Sequence, residues 1–396
     1  MKYDFDKVID RSGTDAVKLD GMKEIWGRTD LIPLWVADMD FATAPFITEA
    51  IRKRCENPVM GYTCKPEGYY QSIIRWVKER YRLEVEKEMI NFVPGIVPGI
   101  GMAMNALTGA GDKVMIQPPV YHPFRWLTER NGRTLVNNPL KWEDGMYRMD
   151  MEAFRRQIKG CKLFILCNPH NPGGVVWKEE ELYEVAELCH EEGVLVFSDE
   201  IHADLTLPPH RHRPFAAVSE KARMNSVTFM SPSKAFNMPG MTASHALIFN
   251  PELRRRFRLY MDACELDLGH AFAFLSVEAA YSHGTEWLDQ CLAYIQRNID
   301  FVDGFLKAHA PKIKVVRPQA SYLVWLDCRE MGLSQAALND FFVTSARLAL
   351  NDGAMFGQEG VGFMRLNVAS PRSVIEEALH RLAEAYRKES VSKGWE

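Results

Sequence analysis

The chain has 396 residues, a formal net charge of −4 and a pI of about 6.3, with 47% hydrophobic and 25% charged residues. That length accommodates two domains, or one large domain with a companion, and the mild acidity offers no basic surface for nucleic acid or an anionic membrane. No apolar run approaches a membrane span, and the start, Met1-Lys-Tyr-Asp-Phe-Asp, lacks the apolar core of a signal peptide, so a cytoplasmic protein is expected. The eight cysteines are scattered, form no CxxC pair and mostly have apolar neighbours, which points to reduced, buried thiols.

In chain order, residues 1–30 are polar with little periodicity and read as an irregular arm. Ile32 to Phe41 is an apolar run ending in two acids, Asp38 and Asp40. Pro45 opens a helix of about 13 residues, where its missing N–H costs nothing. Met60-Gly-Tyr-Thr63 is a loop, and Gly68 to Arg82 a second helix. Phe92 to Gly99 is turn-rich and leads into a helix over 100–107. Such a helix start gathers free N–H groups that can hold a phosphate, although a plain glycine loop has the same composition.

An α/β rhythm follows. Strands are expected at 112–117, 131–136, 162–167, 194–198 and 226–230, with helices over 151–158 and 179–192 between them. The strand at 243–249 reads as running the other way. A basic helix (251–260) and two more helices, 271–281 and 287–308, lead to a C-terminal α+β unit beginning near Lys312. This unit has strands at 313–316, 321–326 and 362–368, helices over 335–345 and 374–387, and a glycine-rich stretch at 351–357. The expected organisation is 1–50 as arm and part of a small domain, 51–290 as a large domain, and 291–396 as linking helix and small domain. Continuous apolar strands alternating with helices imply a mostly parallel sheet covered on both faces, with its site at the carboxyl ends of the strands.

The polar clusters fall at those ends. Lys234, in Ser231-Pro-Ser-Lys234, can form a Schiff base with an aldehyde cofactor, and Ser231 and Ser233 can hold a phosphate nearby. A solvated lysine in a strand-end turn is the plainer reading of that stretch alone. Asp199 can face a pyridinium nitrogen and keep it protonated, or serve as a cap or buried ion-pair partner. Asn171 can donate to the ring's phenolic oxygen, or merely occupy an Asn-Pro turn. Tyr121 can stack on the ring, or be a half-buried core aromatic. His210 and His212 read as an exposed loop without the carboxylate or thiolate partners of a metal site.

Taken together, these motifs resemble those of the fold-type I pyridoxal-phosphate enzymes of the class I/II aminotransferase superfamily. Asn168-Pro-His-Asn-Pro-Gly-Gly174, Asp199-Glu-Ile-His202, Ser231-Pro-Ser-Lys234 and Arg365 in Phe363-Met-Arg-Leu-Asn367 occur in the family's order across nearly the whole chain. The resemblance implies a seven-stranded sheet in the large domain, pyridoxal 5'-phosphate on Lys234, and Arg365 clamping the substrate α-carboxylate.

Pro33 to Phe41, Gly61-Tyr62, Val97-Pro-Gly-Ile100 and Asp199 to Asp204 are similar to the C–S lyase branch typified by the MalY and PatB proteins. That likeness implies a homodimer that cleaves the Cβ–S bond of cystathionine and related S-substituted cysteines. It implies phosphate contacts from the backbone at Ile96 and Val97 and from Ser231 and Ser233. Tyr62 would reach the neighbouring subunit's site, Ala37 would line the substrate pocket, and His202 would lie beside the cofactor. Many aminotransferases have a tyrosine where this chain has His202 and a phosphate-binding arginine where it has Thr242. A plain aminotransferase, or a regulatory protein on a retained enzyme scaffold, is the alternative.

Overall fold

The apolar runs assemble into one seven-stranded sheet. Its strands are β1 (Ile90–Val93), β2 (Lys113–Ile116), β3 (Thr134–Asn137), β4 (Cys161–Cys167), β5 (Leu195–Asp199), β6 (Ser226–Met230) and β7 (Ser244–Leu247), in a computed structural model that describes residues 1–395. Their spatial order is β1-β7-β6-β5-β4-β2-β3. All neighbours pair in parallel except β7, which runs against both β1 and β6.

Successive residues of β4 show why these runs are apolar throughout. Leu163 and Ile165 enter one hydrophobic core, while Phe164 and Leu166 enter another on the opposite face. Both faces are covered, so no position on the strand is left for water. Each fully buried side chain of this kind contributes about 2 kcal/mol through removal of apolar surface from water. A helix over Ile96–Leu107 packs close against the sheet. A Cβ at Gly99 would stand 2.9 Å from Val93 Cγ2 and 3.2 Å from the Phe229 ring, so only glycine permits that approach.

Register sets the level of the site. Cys167 stands opposite Asp199, and Asp199 opposite Phe229. The Asn168 loop, Asp199 and the Ser231 loop therefore leave the sheet side by side.

A smaller antiparallel sheet is formed by β8 (Lys314–Val316), β9 (Leu323–Asp327), β10 (Asn351–Asp352) and β11 (Phe363–Asn367), in the order β8-β9-β11-β10. A 25-residue helix over Thr285–His309 packs on the final helix, Arg372–Lys393. Near the amino terminus, Ile32–Pro33 pairs in parallel with Leu348–Ala349. Among the described residues, no helix is long and apolar enough to cross a membrane.

The structure corrects several local expectations. The arm is not irregular throughout: Val17–Asp20 and Met22–Trp26 are short helices, Phe5 packs edge-on against Phe41 and Trp287, and Lys18 is wholly buried. These are tertiary effects that a local pattern does not carry. The strand expected at 131–136 begins at Thr134, because Asn131 and Gly132 form the turn before it. The 335–345 segment is α-helical only to Asp340 and continues as a π-helical turn over Phe341–Ser345. Five cysteines are buried as expected, whereas Cys55, Cys64 and Cys264 are exposed.

Candidate active site

The strand ends open onto a cavity of about 270 Å³, lined by Ala37, Ile96, Val97, Tyr121, Asn171, Asp199, His202, Ser233 and Lys234 among others. Lys234 lies in the loop joining β6 to β7. Its amine donates to the Ala37 carbonyl at 2.6 Å, and that carbonyl also accepts from the Tyr322 hydroxyl at 2.9 Å. Burial pushes the Lys234 amine down to about 8. The positive Arg365 adds to this, while the Asp38 and Asp199 carboxylates oppose it.

Asp199 ends β5 and is buried. Burial pushes its carboxyl up to about 7 against the pull of the Ile201 N–H, which it accepts at 3.1 Å; the Glu200 charge raises it further and Lys234 opposes. Glu200 itself is buried and well satisfied. It accepts from the Ser198 hydroxyl at 2.8 Å, the Phe215 N–H at 2.8 Å and His212 Nε2 at 2.7 Å. The expectation of an exposed His212 without a carboxylate partner is thereby overturned. A carboxylate 12 positions earlier in the chain draws the imidazole inside.

Arg365 is buried on β11 and lies behind Asn171 as seen from the cavity. Its Nη1 donates to Asn171 Oδ1 at 3.0 Å; its Nη2 donates to Asn351 Oδ1 at 2.6 Å and to the Trp35 carbonyl at 3.2 Å. Its Nε is buried without a partner among the described residues. A charged donor in that condition is costly, and an incoming carboxylate would relieve it. Burial lowers this guanidinium to about 10, so it stays charged at neutral pH. Tyr121 is shifted upward by burial and by the Asp199 charge, and so keeps its proton.

Part of the cavity lining is a helix start, whose free N–H groups can hold an anion. Gly95 adopts φ +122°, a conformation side chains rarely take, and turns the chain into the 96–107 helix. Pro98 has no N–H, and Gly99 is the first to bond back, to the Gly95 carbonyl at 3.0 Å. The N–H groups of Ile96 and Val97 are thus first-turn donors at a helix start, beside the Ser233 hydroxyl and Thr242.

Besides Arg365, two expected residues do not line the cavity. Ser231 does not line the cavity: its hydroxyl donates to the Ala243 carbonyl at 2.8 Å and contacts Ser233 Oγ at 2.9 Å, so it backs Ser233. Tyr62 is fully exposed and lines a separate surface hollow with Met60, Leu268 and His270. Sequence reasoning missed Tyr322, Asn351 and Asn237. Asn237 stands three residues after Lys234 and bonds the backbone of Met39 and Phe41, and its place within the lysine motif was the available signal.

Three buried histidines around this region are held neutral. Burial pushes His202 and His245 down to about 3 and His170 to about 4. Below the unfolded value of 6.5, the unfolded chain takes up protons that these folded sites refuse. Each therefore removes about 1.4 kcal/mol of stability per pH unit as pH falls, until its folded value is reached. Asp199 acts in the opposite sense, since its folded carboxyl takes a proton first. With His122, which burial lowers to about 4 in the same way, four imidazoles act against one carboxyl, so the urea midpoint is expected to fall between about pH 7 and about pH 5. A midpoint that rises over that interval would show these imidazoles to be solvated.

The model of the family described as "Aminotransferase class I and II" matches residues 29–382. The chain belongs to that family. Within it, this family member is 42% identical over 383 residues to the cystathionine beta-lyase PatB of Bacillus subtilis, covering 96% of this chain and 99% of PatB. It is 32% identical over 389 residues to the MalY protein of Escherichia coli, covering 97% and 99% of the two chains. The crystal structure of cystalysin from Treponema denticola, which contains a pyridoxal 5'-phosphate cofactor, superposes with a TM-score of 0.95. The identity is 33%, over 98% of this chain and all of that one. The family member thus lies in the PatB/MalY-like branch.

Proposed function

We propose that this protein is a pyridoxal-phosphate enzyme that eliminates the thiol from L-cystathionine and related S-substituted cysteines, giving homocysteine or another thiol, pyruvate and ammonia. The observation that carries the reading is that Lys234, Asp199 and Asn171 line one cavity, with the charged Arg365 bonded to Asn171 behind it. The likeness to PatB favours thioether cleavage over amino exchange.

The residues fit the cofactor. Ile96, Val97 and Ser233 would hold its phosphate, with Ser231 fixing Ser233. Lys234 would hold its aldehyde, Asn171 its phenolic oxygen, Asp199 its ring nitrogen, and Tyr121 and His202 its ring. When bound, the cofactor captures the substrate amine and draws electrons from the substrate α-carbon. Arg365 binds the α-carboxylate through Nε and one Nη, which sets the α C–H toward Lys234. Lys234, displaced by substrate, takes the α-proton; its depressed basicity suits a base that works near neutrality. As the Cβ–S bond breaks, the departing sulfur receives a proton from Lys234 or from the neutral Tyr121. Ala37, which lines the cavity, would face the substrate. Tyr62, turned away from its own cavity, would reach the phosphate of the neighbouring subunit in a homodimer.

Purified enzyme given L-cystathionine without any keto acid should release homocysteine, pyruvate and ammonia in equal amounts. No pyruvate, with amino exchange only when a keto acid is added, would overturn the lyase reading. Arg365→Lys should lower kcat/KM about 100-fold, mostly through KM, because a point charge replaces a two-pronged donor. An unchanged KM would remove Arg365 from the carboxylate site.

A further inference from the structure

The segment Leu34 to Phe41 runs between the two sheets and is gripped from both. From the large sheet, Lys234 Nζ donates to the Ala37 carbonyl at 2.6 Å, and Asn237 accepts the Met39 N–H at 2.9 Å and donates to the Met39 and Phe41 carbonyls. From the small sheet, Asn367 Nδ2 donates to the Val36 and Asp38 carbonyls, both at 2.7 Å, and Arg365 donates to that of Trp35. The active-site lysine and the carboxylate-binding arginine are therefore both referenced to one stretch of backbone.

The amino-terminal arm holds that stretch by charge. Lys18 Nζ lies 2.8 Å from Asp40 Oδ2 and 3.5 Å from Asp38 Oδ1. Arg11 reaches Asp38 Oδ2 at 2.7 Å and Asp40 Oδ1 at 3.0 Å. The Lys18 side chain is wholly enclosed, the two carboxylates are 14% and 22% exposed, and Ser370 donates a further hydrogen bond to Asp40. Two cations and two anions balance within one cluster. Such clusters are poor sources of net stability, because desolvation cancels most of the attraction. They hold geometry well, since each member is fixed by two partners. Asp38 alone among the four also acts on the Lys234 amine, and it does so with a favourable charge.

We propose that Arg11 and Lys18 are positioning residues of the active site, which clamp Asp38 and Asp40 so that Ala37 faces Lys234 and Asp38 adds one of the charges that the Lys234 amine meets. The inference rests on Lys234 being the cofactor lysine. The groups that bear on that amine are Arg365, Asp38 and Asp199; those that bear on Asp38 are Arg11, Lys18 and Tyr322, with Asp40 sharing the same two cations.

The test is a pH titration of the visible absorbance of the holoenzyme, alongside KM and kcat for L-cystathionine. Asp38→Asn removes a negative charge and should lower the apparent pKa of the absorbance change by about half a unit. Arg11→Met leaves the cluster more negative and should raise it by a similar amount. Arg11→Lys should return it to the parent value. KM should rise about tenfold in Arg11→Met with a smaller change in kcat, because orientation is lost while the reacting groups remain. Lys18→Met should follow Arg11→Met; if it fails to fold, the part-exposed Arg11 pair carries the test alone. Parent-like titrations and KM in Asp38→Asn and Arg11→Met, with only a lower melting midpoint, would make the cluster a brace for the fold and overturn the proposal. A parent protein with no visible absorbance after incubation with pyridoxal phosphate would instead overturn the cofactor assignment and this inference with it.

Discussion

Lys234→Ala protein is expected to lose the visible absorbance of the bound cofactor and to lower turnover of thioether amino acids by about 10³-fold or more. The size follows from two roles meeting in one amine. In the proposed mechanism Lys234 is the nucleophile that holds the aldehyde, and after release it is the base at the α-carbon. Among the described residues no second amine lines the cavity, and His202, which does line it, is made a weak base by burial and by the charges of Lys234 and Arg365. The fold should survive the change. The Ala37 carbonyl keeps the Tyr322 hydroxyl at 2.9 Å, so truncating Lys234 leaves no buried acceptor bare. Far-ultraviolet circular dichroism and the melting midpoint should match those of the cofactor-free parent. Lys234→Arg separates charge from chemistry, because it keeps a cation in place and cannot form the imine. If Lys234→Ala turned over cystathionine at the parent rate, the assignment would fail.

Asp199→Asn should lower kcat by about 10² to 10³-fold while leaving the protein at least as stable. The two effects have one cause. Burial makes the free Asp199 carboxylate expensive, which is why its carboxyl lies near neutrality at about 7. A cationic ring nitrogen opposite would return it to the ionised form and gain its full attraction. Asparagine avoids the burial cost and cannot supply the charge. Equilibrium unfolding of the cofactor-free protein and steady-state kinetics of the loaded one should therefore move independently. An unchanged kcat would show that Asp199 does not face the ring.

How much of this was legible in the residues depends on how local the cause is. β6 begins and ends where its apolar run does, at Ser226 and Met230, because both faces of that strand are buried and no alternation blurs its limits. Asp199 and Lys234 stood out for the same reason: each is a charge that interrupts or follows such a run. Lys18 and His212 did not. Each lies in a polar stretch, and each is drawn inside by a partner carboxylate, Asp40 or Glu200, whose approach depends on the folded chain. Asn351 was hidden similarly, since only the β10–β11 pairing places it opposite Arg365. Six of the seven strands could be found from their runs; the edge strand Ile90–Val93 was hidden, because its end was read into the turn-rich Phe92–Gly99 stretch, and the count of seven came from family likeness. The grip on Arg365 required the small sheet to be built first.

The reversed strand β7 bears on how the molecule comes apart. Because it lies between β1 and β6, the loop carrying Lys234 is anchored at both ends in interior ladders. Amide protons at the roots of that loop should exchange with deuterated solvent about as slowly as any in the chain. Partial loosening of the small sheet would then release Arg365 well before Lys234, leaving a species that still holds its cofactor but has lost its hold on amino acids.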